Sequence, residues 1–189
     1  KIDQLTYKIT GTVASNIADY DTYYYKVTDV LPKGLDVTKE ELDSKWGVSI
    51  KVDGKDVTSS FTSAVSEANT GKDDVTDTVT WETADLKKVM TDAGVKDLAN
   101  TKVTVEYTPV YDTNDVNRMY KNAGSLSTPD VNTASIEFSN NPYTGGHGGH
   151  TPGDETKVYD YNLKIFKKDA AGKALKGATF TLTDASGKT

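Results

Sequence analysis

The chain has 189 residues, no cysteine, 35% hydrophobic residues and a formal net charge of −6. The missing cysteine excludes a disulfide framework, a thiolate zinc site and a cysteine nucleophile. The negative charge is spread along the chain as a solvated surface and argues against nucleic acid or anionic membranes as partners.

Eleven tyrosines accompany many valines and threonines, residues that favour strands. The expected class is a soluble, Thr-rich, mostly β protein: one domain of ordinary size plus a fragment. From the N-terminus, Leu5 to Val13 alternates, with Leu5, Tyr7, Ile9 and Val13 inward. Ala14 to Asp21 reads as a connection. Thr22 to Leu31 is a second strand with Tyr23, Tyr25, Val27, Asp29 and Leu31 in one phase. Thr38-Lys-Glu-Glu41 is a capping box opening a helix to about Lys45. Asp53-Gly54 marks a hairpin within Gly47 to Val57. Phe61 to Asp77 carries no clear period. Val79 to Trp81 is strand-like, Thr83 to Met90 is a helix ending near Gly94, and Lys102 to Val110 alternates again. Thr113 to Leu126 reads equally as a polar loop or a short helix.

Asn132 to Pro142 alternates strictly, with Ala134, Ile136 and Phe138 on one face, and the count places Asn140 on that face. Tyr143 to Thr156 is Gly-rich and apolar-poor and is expected to be a linker. Val158 to Lys168 and Ala174 to Leu182 read as strands of a second, truncated domain. No apolar run approaches the ~20 residues of a membrane span. No signal peptide opens the chain, so it is expected to be a piece of a longer polypeptide.

Three polar residues fall on apolar strand faces: Asp29, Asn140 and Lys167. Burying an unpaired amide costs roughly 2–7 kcal/mol, so Asn140 is expected either to hydrogen-bond or to react. Each residue also has an ordinary explanation. Asn140 precedes Asn141-Pro142 and suits a strand end, Asp29 suits a sandwich rim, and Lys167 suits snorkelling past the core edge. One chemistry unites the three. A desolvated lysine is pushed toward its neutral, nucleophilic form, and a buried carboxyl is pushed toward its neutral acid. Such an acid assists ammonia in leaving an asparagine amide, and the product is a Lys–Asn isopeptide bond.

Tyr7-Lys-Ile-Thr-Gly-Thr-Val13, Asp29-Val-Leu-Pro-Lys-Gly-Leu35 and Asn132-Thr-Ala-Ser-Ile-Glu-Phe-Ser-Asn-Asn-Pro142 resemble strands of the backbone (major) pilins of Gram-positive sortase-assembled pili. Lys167-Lys-Asp169 and Gly177-Ala-Thr-Phe180 resemble the start of a collagen-adhesin B-type (prealbumin-like) domain. The resemblance implies an all-β, immunoglobulin-like sandwich of the collagen-adhesin A-like type with short helices over residues 1–144. A Gly-rich linker at 145–157 and a partial collagen-adhesin B-type sandwich at 158–189 would follow.

The resemblance also implies site roles. Asn140 matches the bond-forming asparagine, Asp29 the assisting acid, and Lys167 the bond-forming lysine of the second domain. The first domain's lysine lies upstream of the Leu5 strand in that family. Lys1 is the only candidate at that end, since Lys8 is in the outward phase. The implied function is structural rather than enzymatic: a wall-anchored, extracellular pilus shaft. Its partners would be other pilin subunits joined by sortase, the peptidoglycan and host surface proteins. The runner-up is a wall-anchored adhesin that binds a host matrix protein through the same modules. Leu31-Pro-Lys-Gly-Leu35 lacks the threonine of a sorting signal and is rejected as one.

No cofactor or metal is expected. His147 and His150 stand among glycines without a supporting carboxylate cluster, and Asp112 to Asp115 lacks the spacing of an EF-hand. The sequence shows no Ser-His-Asp set and no phosphate-binding glycine loop.

Overall fold

The computed structural model describes residues 4–123, 129–143, 146–159, 168 and 171–173. The described residues are mostly strands, in two antiparallel sheets with a few short helices. In the smaller sheet β1 (Tyr7–Thr12) is an edge strand and pairs with β7 (Lys102–Tyr107). That strand pairs with β3 (Ser49–Val52), and β3 pairs with the short β4 (Lys55–Asp56). In the larger sheet β2 (Tyr25–Val30) is central. It is flanked by β6 (Thr78–Thr83) and by the long β8 (Asp130–Asn141). β5 (Thr62–Ser66) lies outside β6, while β9 (Gly146–His150) and β10 (Asp154–Val158) both pair with β8.

Local chemistry accounts for most of these elements. Helix α1 (Lys39–Ser44) starts at the capping box. The Glu41 N–H donates to the Thr38 hydroxyl at 3.2 Å, and the Thr38 N–H donates to the Glu41 carboxylate at 3.1 Å. The β3–β4 turn has positive φ at both Asp53 (48°) and Gly54 (74°), as a type I′ hairpin requires. Helix α2 (Leu86–Asp92) is capped by Asp85, and α3 (Thr113–Ala123) is the helical alternative over the described part of that stretch.

The sheets enclose one core. Tyr23, Tyr25, Val27 and Leu31 project into it from β2 and its flanks, facing Ile50, Val52, Val103, Val105 and Tyr107. Tyr20, Tyr23 and Tyr25 are all buried, so this tyrosine run is core and not an exposed patch. At the centre Tyr107 stacks on Tyr7 (5.4 Å, 13° between planes) and on Trp46 (5.5 Å, 14°), with Trp81 tilted against it at 5.5 Å. At Gly11 side chains of the larger sheet press against the bare backbone of β1. A methyl there would lie 2.0 Å from the Tyr25 hydroxyl and 2.3 Å from Ile136.

Two stretches differ from expectation. Residues 62–66, with no clear period, form β5, because Thr-Ser-Ala-Val-Ser has strand propensity but only partial burial to pattern it. The expected linker at 145–157 is instead largely strand. β9 and β10 are joined at Thr151, whose hydroxyl and N–H bond the Ile136 backbone at 2.9 Å each. The glycines serve contact here and not flexibility: a Cβ on Gly149 would lie 2.4 Å from the Phe138 ring. Cross-strand packing needs a bare backbone at that point, and composition alone cannot tell this from a linker.

Candidate functional site

β2 and β8 are neighbours, with Asp29 opposite Ala134. The parity that puts Val27 and Leu31 in the core therefore carries Asp29 in with them, and it is fully buried. The Tyr107 hydroxyl, brought across from the other sheet, donates a short hydrogen bond to Asp29 Oδ2. The second oxygen, Oδ1, has no hydrogen-bond partner among the described residues, and none of their ion pairs reaches Asp29. Burial pushes the carboxyl up to about 6, and the Tyr107 hydrogen bond and the nearby Asn132 amide only partly offset this. An orphaned buried oxygen calls for an explanation, and a carboxyl that is substantially protonated in mild acid supplies one.

The amide that meets this acid is Asn132. It is 4% exposed, and its Nδ2 donates to the Tyr107 oxygen at 3.2 Å. Asn132 stands on the same face of β8 as Ile136, the parity that was carried forward to Asn140. Counting backward from Ile136 finds it.

Asn140 itself is exposed, so the burial expected of it is not observed. The ladder between β8 and β9 shifts register after Phe138 and again after Ser139, which breaks the two-residue period. Ser139 takes the inward place. Its hydroxyl accepts from the Tyr24 N–H at 2.9 Å, and its own N–H donates to the Tyr24 carbonyl at 3.1 Å. Asn140 is turned outward over Gly148.

Lys167 and Lys1 lie outside the described residues. Lys8 is exposed and pairs with Glu106 across the β1–β7 ladder at 3.0 Å, in the outward phase expected of it. Among the described residues no group of three or more His, Asp or Glu side chains is placed to hold a metal ion. His147 lies edge-on against the Tyr24 ring at 4.0 Å.

Access to Asn132 comes from one side. The free edge of β1 and the inner faces of β8 and β10 bound an open groove of about 670 Å³. Tyr7, Gly11, Asn132, Ile136, Phe138 and Thr156 are among its lining residues. The groove has a mixed polar and apolar lining, follows an unpaired strand edge, and reaches the buried amide. An extended segment laid along β1 could present a side chain to Asn132 without opening the core.

No family model, curated protein or solved structure matches the chain.

Proposed function

We propose that this chain is part of the shaft subunit of a cell-surface pilus, and that its sandwich is of the immunoglobulin-like, collagen-adhesin A-like type. In this reading it is stapled by a Lys–Asn isopeptide bond formed at Asn132 with Asp29 as the assisting acid. The observation that carries the reading is the buried cluster of acid, phenol and amide at the foot of an open groove. It holds a buried amide, a carboxyl with a raised affinity for its proton, and an approach for an amine, which burial against them would push toward its neutral form. The bond-forming role passes from Asn140 to Asn132 because only the latter is buried beside the acid.

The chemistry needs a lysine amine as its one further reactant. A neutral lysine amine attacks Cγ of Asn132, a proton reaches Nδ2, the Cγ–Nδ2 bond breaks, and ammonia leaves. An amide cross-link restricts the unfolded chain as a disulfide does, where gains are typically ~2–4 kcal/mol, and it resists reduction. A cysteine-free chain placed outside the cell has use for such a staple, and a rod under tension gains strands that cannot separate beyond it. Subunit joining by sortase, anchorage to peptidoglycan and support of adhesion to host surfaces belong to the same proposal.

The test is intact mass. The wild type and Asn140→Ala should each be lighter than their sequence by one ammonia, and Asn132→Ala should show no such deficit. A wild type at its full sequence mass, or a deficit that survives in Asn132→Ala, would overturn the assignment.

A further inference from the structure

Resting on the reading of Asn132 as the acyl partner, we propose that Tyr107 is the proton relay of the cross-linking step. Its hydroxyl passes a proton from Asp29 to the Asn132 nitrogen as ammonia leaves, and it holds that amide in the attacked orientation. One oxygen atom touches both groups. The Tyr107 hydroxyl donates to Asp29 Oδ2 and accepts from Asn132 Nδ2 at 3.2 Å. The atom that must gain a proton and the acid that must lose one are thus bridged by one group able to donate and accept at once.

The phenol is held in place for this role. Tyr7 and Trp46 stack on its ring and Trp81 leans on it, all at 5.4–5.5 Å between centroids. The ring is fixed and only the O–H bond is free to turn. Burial and the neighbouring Asp29 push the phenol's own ionisation upward, so it hands a proton on and does not rest as phenolate.

The step balances as follows. The amine nitrogen forms a bond to Cγ, and the tetrahedral centre is ready to expel Nδ2. Nδ2 is now an amine with a free lone pair; the Tyr107 O–H turns from Oδ2 toward it, and neutral Asp29 gives its Oδ2 proton to the Tyr107 oxygen while the Tyr107 O–H proton moves to Nδ2. The Cγ–Nδ2 bond breaks and ammonia departs. The proton released by the amine returns to Asp29. Asn132 also bears directly on the Asp29 carboxylate, so direct transfer is the competing route.

The experiment starts from chain held unfolded in denaturant and refolded by dilution across a pH series, with ammonia loss followed by intact mass. Tyr107→Phe keeps the stacked ring and removes the oxygen; Tyr20→Phe is the control, removing a hydroxyl from a buried tyrosine away from the groove and the stack. The wild type and Tyr20→Phe should react alike. Tyr107→Phe should react at least ~10-fold more slowly. Its alkaline limb should move to higher pH, because the Asp29 anion has lost its phenol donor. A proton inventory on the wild type in mixed light and heavy water adds a readout that needs no variant: two protons in flight give a curved plot, direct transfer a straight one.

A straight inventory, or wild-type rate and pH profile in Tyr107→Phe while Asn132→Ala stays unreactive, overturns the relay and leaves the cross-link standing. No ammonia loss in the wild type, or loss that persists in Asn132→Ala, overturns the cross-link and the relay together.

Discussion

The two halves of β8 treat the same residue type in opposite ways. At one end Asn132 is buried between the sheets with its amide on the Tyr107 hydroxyl; at the other Asn140 sits in solvent. Between them the pairing on one side of the strand changes. The first half runs in unbroken register with β2 and β10, and the second is bulged against the glycine-rich β9. Regular pairing preserves side-chain parity and can hold a polar group in the core. A bulge surrenders parity and releases the next residue to the surface. The position of an asparagine on a strand is therefore less informative than the state of the ladder beneath it.

Substitutions can break this contrast. The largest effect is expected where the regular half meets the other sheet. Gly11→Ala drives a methyl into the Tyr25 hydroxyl and Ile136 at once and should destabilise by about 1–3 kcal/mol, read as a lower midpoint in urea. Against wild type that has not yet formed the cross-link, Asn132→Ala should follow at about 1–3 kcal/mol, since it removes a buried hydrogen-bond partner, whereas Asn140→Ala should lie within roughly ±0.5 kcal/mol of the wild type. Equal midpoints for the two asparagine variants would erase the distinction between the halves.

The smallest effect is the pH dependence. A carboxyl whose folded value lies above its unfolded one binds a proton on folding. Its contribution is complete below the unfolded value near 4, and is lost as pH rises through about 6. Melting temperature should therefore rise on going from pH 7.5 to pH 5. Asp77 contributes in the same direction, because burial pushes it to about 6 as well, against the N–H groups of Val37 and Ala68 that it accepts. Burial raises Asp115 in the same direction, so Asp29→Asn should remove part of the rise and leave the share of Asp77 and Asp115. A rise of unchanged size in that variant would show that the acid in the regular half is not the one taking up the proton.

Much of this could be read from the residues because the signals were local. Thr38 to Glu41 capped a helix, Asp53-Gly54 turned a hairpin, and alternation through Val27 and Leu31 sent Asp29 inward. The alternation that pointed forward to Asn140 also pointed backward to Asn132, but forward counting assumes an unbroken ladder, and nothing in Phe-Ser-Asn-Asn announces a bulge. The glycines of β9 suggested a linker because the Phe138 ring that requires them lies on another strand. The alternation of Lys102 to Val110 points Tyr107 inward, yet its part in the site depends on a partner 78 residues away in sequence. No local pattern encodes that meeting, which arises only when the two sheets close.

The most direct measurement is the titration of the Asp29 side-chain carboxyl by carbon-13 NMR in the folded protein, with Asp29→Asn to assign the signal. The expected midpoint is about 6, with the titration also felt at the side-chain amide of Asn132. A midpoint at the ordinary aspartate value near 4, with the Asn132 amide indifferent to it, would contradict the existence of a buried acid–phenol–amide centre.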